Sequence, residues 1–148
     1  MAMNPELVDV LPAHQFDEDS LRTWLQRAIP GFGTKLDVQQ FQGGQSNPTF
    51  LLDTDSGQYV LRKKPPGKTL PSAHMVEREY KVMRALSEHT SVPVPATRAL
   101  CEDSSIIGTP FYVMDYLEGR IVSHPALRAL DRQERMSAHR SAIDTLAA

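Results

Sequence analysis

The sequence has one cysteine, Cys101, no long apolar run and no marked excess of charge of either sign. A single cysteine excludes an intrachain disulfide and a zinc site built from several thiolates, as is typical of a protein from a reducing compartment. The N-terminal residues lack the apolar core of a signal peptide, and a membrane span would need about 18 consecutive apolar residues. We therefore expect an unsecreted, cytoplasmic protein that does not cross a membrane.

Basic charge is also too scarce for a dedicated nucleic-acid binder, because the net charge is −2 and such a domain normally carries a large basic face. With 41% hydrophobic and 23% charged residues, the 148-residue chain has the composition of one globular domain. Its histidines are scattered without the spacing of metal ligands, so we expect no metal site from them: His14, His74, His89, His124 and His139.

The N-terminal part of the chain predicts a flexible leader followed by one helix. Residues 1–15 contain Pro5 and Pro12 and have no regular apolar face. From Phe16 onward, apolar residues recur at helical spacing after Asp17, which is a good helix cap.

Three short strands are predicted next, over residues 36–42, 49–53 and 59–62, and the first two are joined by a turn at Gly43 and Gly44. No helix separates these strands, so they predict an antiparallel meander. The glycine pair is therefore not part of a dinucleotide-binding crossover, which needs a helix directly after the turn.

The rest of the chain predicts two helices and two more strands. A long amphipathic helix begins at Ser72, and strands are predicted over residues 97–101 and 111–117. Asp131, with Glu134 three residues later, forms a capping box for a last helix.

Five motifs in this order resemble the aminoglycoside phosphotransferase and choline kinase family, in particular the kinase-like domains found with acyl-CoA dehydrogenases: GGQSNPTF, YVLRKKPPG, EREYKVMRAL, VPVP and GTPFYVMDYLEG. The resemblance implies an α+β fold, the N-terminal lobe of a protein-kinase-like domain. Its antiparallel five-stranded sheet would pack one main helix, with an N-terminal helix in addition. Residues 16–119 would form this ATP-binding lobe with its hinge, and residues 120–148 would begin a C-terminal lobe that is otherwise absent.

The resemblance also implies a loop that covers the phosphates of ATP. Glycines let main-chain N–H groups approach an anion closely, and the Ser46 hydroxyl is a candidate further donor. The residues expected in this phosphate-binding loop are Gly43, Gly44, Gln45, Ser46 and Asn47.

The resemblance next implies a cation on the third strand that contacts the nucleotide phosphates. The pattern YVLR indicates Arg62, with Lys63 as the alternative. Neighbouring side chains of a strand point to opposite faces, so only one of the two can enter the cleft. Arg62 is preferred because Val60 shares its face and could pack on adenine. Glu79 matches the helix carboxylate that orients this cation, and Glu77, about 200° away around the helix, is not expected to face the cleft as well.

The hinge is expected at the end of the last strand. By the resemblance, Met114 would lie at the back of the adenine pocket, the Asp115 carbonyl would accept from the adenine amino group, and the Leu117 N–H would donate to the ring.

No His-Gly-Asp triplet occurs, although the family carries its catalytic base and Mg²⁺ ligands in and after that triplet in the C-terminal lobe. We therefore expect neither catalytic residues nor metal ligands within these 148 residues, and no activity from them alone. The function implied is the ATP-binding lobe of a small-molecule kinase that transfers the γ-phosphoryl group to a hydroxyl. The alternative is a non-catalytic kinase-like binding module, in which a second copy or another partner covers the apolar surface on the hinge side.

Overall fold

The computed structural model describes residues 6–43, 47–67, 75–119 and 126–148. Three α-helices occur in these ranges, together with one short 3₁₀ helix, Pro12–His14. The α-helices are α1 (Glu18–Ala28), α2 (Val76–His89) and α3 (Arg132–Leu146). The strands are β1 (Leu7–Val8), β2 (Leu36–Phe41), β3 (Thr49–Thr54), β4 (Gly57–Lys63), β5 (Thr97–Cys101) and β6 (Phe111–Asp115).

The strands form one antiparallel sheet in the order β1-β2-β3-β4-β6-β5, which confirms the α+β class. The predicted count of five strands was wrong, because the segment predicted as a leader contributes β1. Leu7 and Val8 pair with Phe41 and Gln40 at the edge of the sheet. A strand of two residues has no alternation that a sequence pattern could reveal.

The hydrophobic core lies between α1 and one face of the sheet, which we call the α1 face. Asp17 caps α1 by accepting a hydrogen bond from the Ser20 N–H. Leu21 and Leu25 of this helix are fully buried in the core, and Trp24 contacts the Phe111 ring edge-on at 5.1 Å. Truncation of a buried leucine to alanine typically costs about 2–5 kcal/mol, so α1 is an integral part of the fold.

Helix α2 lies on the opposite face, which we call the α2 face, and contacts β5 and β6. The helix was predicted to begin at Ser72, but Met75 is its non-helical N-cap, and residues 72–74 lie outside the described ranges. The apolar spacing of α2 begins only at Val76, so the pattern does not determine how far the helix extends toward Ser72.

At the C-terminal end, β6 stops at Asp115, two residues before the predicted strand end. The capping box of α3 is confirmed, since Asp131 accepts from the Glu134 N–H and Glu134 accepts from the Asp131 N–H. None of the helices in the described ranges has the length and apolar character needed to span a membrane.

Candidate functional site

A cluster of four side chains on the α2 face, Asn47, Arg62, Glu79 and Tyr112, is centred on the Glu79 carboxylate; we call it the Glu79 cluster. The Asn47 Nδ2 donates to Oε1 at 2.9 Å, and the Tyr112 hydroxyl donates to Oε2 at 2.9 Å. Arg62 donates from Nη2 to Oε1 at 3.3 Å, while its Nε lies 3.1 Å from Oε2 without hydrogen-bond alignment. The carboxylate thus receives donors from three separate parts of the sheet and its loops.

The sheet register explains how these side chains meet. Arg62 of β4 and Tyr112 of β6 are direct partners across the two strands, and both point to the α2 face. On the other side of Arg62, its partner on β3 is Thr49, two residues after Asn47. Glu79 lies in the first turn of α2, where the helix dipole favours a carboxylate.

The four side chains of the cluster differ in exposure: two are buried and two are partly open to solvent. Tyr112 is 1% exposed and Asn47 is 3% exposed. The side chains of Arg62 and Glu79 remain 30% and 36% exposed. A guanidinium that is held by a carboxylate but still reaches solvent is able to contact an anionic group.

Tyr112 stays protonated in this site, because burial and the neighbouring Glu79 carboxylate raise the pKa of its hydroxyl well above the usual value. A protonated phenol donates to a carboxylate, so the direction of the Tyr112 hydrogen bond is constant through neutral pH.

A second ion pair lies beside the cluster, between Lys64 Nζ and Glu77 Oε1 at 2.8 Å. Burial alone would raise the pKa of Glu77, but the hydrogen bond and charge of Lys64 lower it below its ordinary value. Glu79 therefore pairs with Arg62 of β4 and Glu77 with Lys64, the residue directly after β4, whereas only Glu79 was expected to face this side. The long Lys64 side chain reaches the first turn of α2 from the α2 face, which it shares with Arg62.

Lys63 lies on the other side of the sheet, and its exposure is only 4%. Its Nζ is 5.6 Å from the centre of the Phe16 ring and 5.8 Å from that of Phe50, both cation–π contacts. Burial lowers the pKa of Lys63. Of the two candidate cations, Arg62 is the one that the structure brings to Glu79.

The predicted adenine residues lie next to the cluster. Val60 and Met114 are partners across β4 and β6. Each lies two residues along its strand from the Arg62–Tyr112 pair and therefore on the same face, and Val60 is buried. The Asp115 side chain is held by Arg98 through two hydrogen bonds of 2.6 and 2.7 Å, and Leu117 is 59% exposed. The main-chain roles of Asp115 and Leu117 toward adenine stay predictions.

Only the ends of the predicted phosphate-binding loop lie in the described ranges. Gly43 has φ of +99°, a left-handed conformation that favours glycine, and Asn47 is turned inward to Glu79. The three residues between them, Gly44, Gln45 and Ser46, fall outside the described residues.

Two features of the cluster were not predicted from the sequence, namely the contacts of Asn47 and of Tyr112 with Glu79. The order of the strands alone does not align Tyr112 with Arg62, because that alignment depends on the register between β4 and β6. For metals, the described residues contain no group of three or more histidine, cysteine or carboxylate side chains that could hold an ion.

Comparisons with known proteins agree with the resemblance drawn from the motifs. Residues 37–148 match the model of the phosphotransferase enzyme family. The chain is 49% identical to "Probable acyl-CoA dehydrogenase IBR3" of Arabidopsis thaliana, covering 91% of this chain and 17% of the relative. It is 45% identical to acyl-CoA dehydrogenase family member 11 of Rattus norvegicus, covering 99% and 19%.

A solved structure from Ralstonia eutropha JMP134, assigned as an aminoglycoside phosphotransferase, matches with a TM-score of 0.67 and 43% identity. The match covers 82% of this chain and 34% of that one. The chain therefore spans less than a fifth of the curated relatives and about a third of the solved structure.

Proposed function

This chain belongs to the phosphotransferase enzyme family, and from that premise we propose that it is the ATP-binding lobe of a small-molecule kinase. Residues 16–119 would form the lobe and its hinge, and residues 120–148 would begin a second lobe. The acceptor would be a hydroxyl of a small molecule. This proposal concerns the described lobe, since the chain covers a minor part of its relatives.

The observation that carries the proposal is the Arg62–Glu79 ion pair beside the Val60–Met114 pair on the same face of the sheet. A binding site for a nucleoside triphosphate needs a fixed cation for the phosphates and an apolar surface for the base. The residues on this face supply both, at adjacent positions of the same two strands. This combination of a fixed cation and an apolar surface therefore suits ATP.

ATP would supply the γ-phosphoryl group, with Mg²⁺ offsetting the phosphate charge. Arg62 would hold the phosphates, Glu79 would fix the guanidinium, and Val60 with Met114 would contact the base. Main-chain groups of Asp115 would orient the base further. These residues bind and orient the nucleotide; the proton of the acceptor hydroxyl would be taken by a group outside this chain.

Nucleotide binding by the 148-residue chain tests the proposal. If the dissociation constant of Mg·ATP is about 1 mM, 10 mM ligand should stabilise the protein by about 1.4 kcal/mol and raise its Tm by about 2–6 °C. The shift should be lost in Arg62→Ala and kept in Lys81→Ala, which removes an exposed cation of α2 that lies outside the Glu79 cluster.

Two results would count against the proposal. If Arg62→Ala and the wild type respond equally to Mg·ATP, the cation has been misassigned. If ATP has no effect and the chain forms a stable dimer, the non-catalytic binding module is the better description. A phosphotransfer signal that persists through purification and disappears in Arg62→Ala would contradict the expectation that this chain alone is inactive.

A further inference from the structure

Asn47 was expected to bind phosphate, yet its side chain is buried and its Nδ2 donates to Glu79 Oε1 at 2.9 Å. We propose that Asn47 is a positioning residue that couples the phosphate-binding loop to the Arg62–Glu79 ion pair. Its action on Glu79 is independent of any ligand. Only its consequence for ATP rests on the function proposed above.

The chain at Asn47 and directly after it is anchored by hydrogen bonds, which fixes the origin of the Asn47 side chain. The Asn47 carbonyl accepts from the Thr49 hydroxyl at 3.1 Å, and the Pro48 carbonyl accepts from the Lys63 N–H at 3.2 Å. Asn47 thus directly precedes Pro48, at which the pairing with β4 begins. The Asn47 side chain connects this junction to helix α2.

The contact fixes the orientation of the Glu79 carboxylate. Asn47 holds Oε1 and Tyr112 holds Oε2, so rotation of the carboxylate breaks at least one hydrogen bond. Arg62 Nη2 donates to the same Oε1 as Asn47. If Asn47 moved, the contact of the Arg62 guanidinium with Glu79 would therefore change as well, because both side chains donate to the same oxygen atom.

The chemistry of the amide favours this role over simple packing. Only Nδ2 of the Asn47 amide can donate to a carboxylate, which leaves Oδ1 buried and without a hydrogen-bond partner in the described part of the chain. An unpaired buried acceptor lowers stability. Asn47 thus combines one directed contact to Glu79 with a local cost, as expected of a residue that acts through its neighbour.

The ligand-free experiment follows the Arg62 Nη2–H signal by NMR in the 148-residue chain, with and without Asn47→Ala, because Nη2 donates to the Glu79 Oε1 that Asn47 also contacts. Loss of a neutral donor to a charged acceptor should speed exchange of this proton with water about two- to tenfold, because Glu79 then rotates more freely. Thr49→Val is the matched control, since it removes the hydrogen bond to the Asn47 carbonyl and leaves the amide on Glu79. Equal exchange rates in the wild type and in folded Asn47→Ala would overturn the proposal. If Asn47→Ala does not fold, Asn47→Ser, whose hydroxyl is too short to reach Glu79, is read in the same way.

The nucleotide experiment separates positioning from direct phosphate contact. In the wild type, Asn47→Ala should weaken Mg·ATP binding about two- to tenfold, and in a Glu79→Gln background it should have little further effect. Full additivity, or weakened binding with unchanged Arg62 exchange, would show that Asn47 contacts the ligand itself. If the wild-type chain does not bind ATP, the proposed function fails, and the ligand-free exchange rates still decide whether Asn47 positions Glu79.

Discussion

Replacement of Tyr112 by phenylalanine should destabilise the protein by about 1 kcal/mol. The change removes one hydroxyl, which donates to Glu79 Oε2 at 2.9 Å, and keeps the buried ring with its edge contact to Tyr80 at 6.1 Å. No large cavity is therefore created. The lost free energy is that of the hydrogen bond alone.

The magnitude follows from the surroundings of Glu79. A hydrogen bond to a charged group typically contributes about 1.5–3 kcal/mol. The Glu79 side chain is 36% exposed, so water replaces part of the lost contact. Arg62 and Asn47 still donate to the carboxylate, so it is not left unpaired. These two factors place the expected loss below that range, at about 1 kcal/mol, or a fall in Tm of about 2–4 °C.

Urea unfolding of wild type, Tyr112→Phe and Tyr59→Phe measures the effect. Tyr59 is the matched control, because it packs in the core against Phe32 and its hydroxyl makes no hydrogen bond to any described residue. Its replacement should change the free energy of unfolding by less than about 0.5 kcal/mol. Equal stabilities of the two variants would refute the reasoning that the Glu79 contact contributes to folding.

The pH dependence gives an independent check on the same residue. Folding raises the pKa of Tyr112, so the protonated tyrosine favours the folded state. Its contribution to the free energy of unfolding is fully present at pH values below its ordinary pKa of about 10. That contribution is lost as the pH rises above this value toward the folded pKa. The unfolding free energy of the wild type should therefore fall more steeply above pH 10 than that of Tyr112→Phe, and parallel curves would contradict the assignment.

Two other changes should alter stability for reasons outside the Glu79 cluster. Glu77→Gln should cost about 1–2 kcal/mol at neutral pH, because it leaves the half-buried Lys64 ammonium without its carboxylate. Glu77 has a lowered pKa, so its contribution is present above its ordinary value of 4.5 and is lost as the pH falls through the lowered pKa. Acid unfolding should thus be less steep in Glu77→Gln, and an unchanged acid profile would argue against the pair. Gly33→Ala should cost about 1 kcal/mol, since the added Cβ would displace the Asp55 carboxylate from its hydrogen bonds with the Thr34 hydroxyl and the Lys35 N–H. Gly119→Ala, whose added Cβ has no atom of the described residues within 4 Å, is the control in a thermal unfolding assay, and similar Tm values for both variants would disprove the clash.

Local patterns were sufficient to predict the parts of this fold that depend on few residues. The alternation of β4 sorts Arg62 and Lys63 onto opposite faces without any knowledge of the other strands. The cap at Asp17 likewise depends on a contact three residues away. The family motif added Glu79, which no periodicity could distinguish from Glu77.

The parts that the sequence did not predict depend on long-range pairing. Tyr112 meets Glu79 because β6 pairs with β4 in one particular register, and a slip of one residue would turn Tyr112 to the other face. The two-residue strand β1 exists only because the edge of β2 is available to pair with it. These contacts follow from the assembled sheet and have no local signature.

The two faces of the sheet are held by different forces, and this difference bears on how a ligand could act on the lobe. The α1 face is packed by apolar side chains, with Leu21 and Leu25 fully buried. Along α2, whose residues are all described, Val76 alone is buried, and much of its contact with the sheet is polar, through Glu77 and Glu79. Polar contacts to half-exposed charges respond to a bound anion, whereas close-packed apolar contacts do not. A ligand at Arg62 would therefore change the balance of forces on α2 and leave the core beneath α1 unaltered.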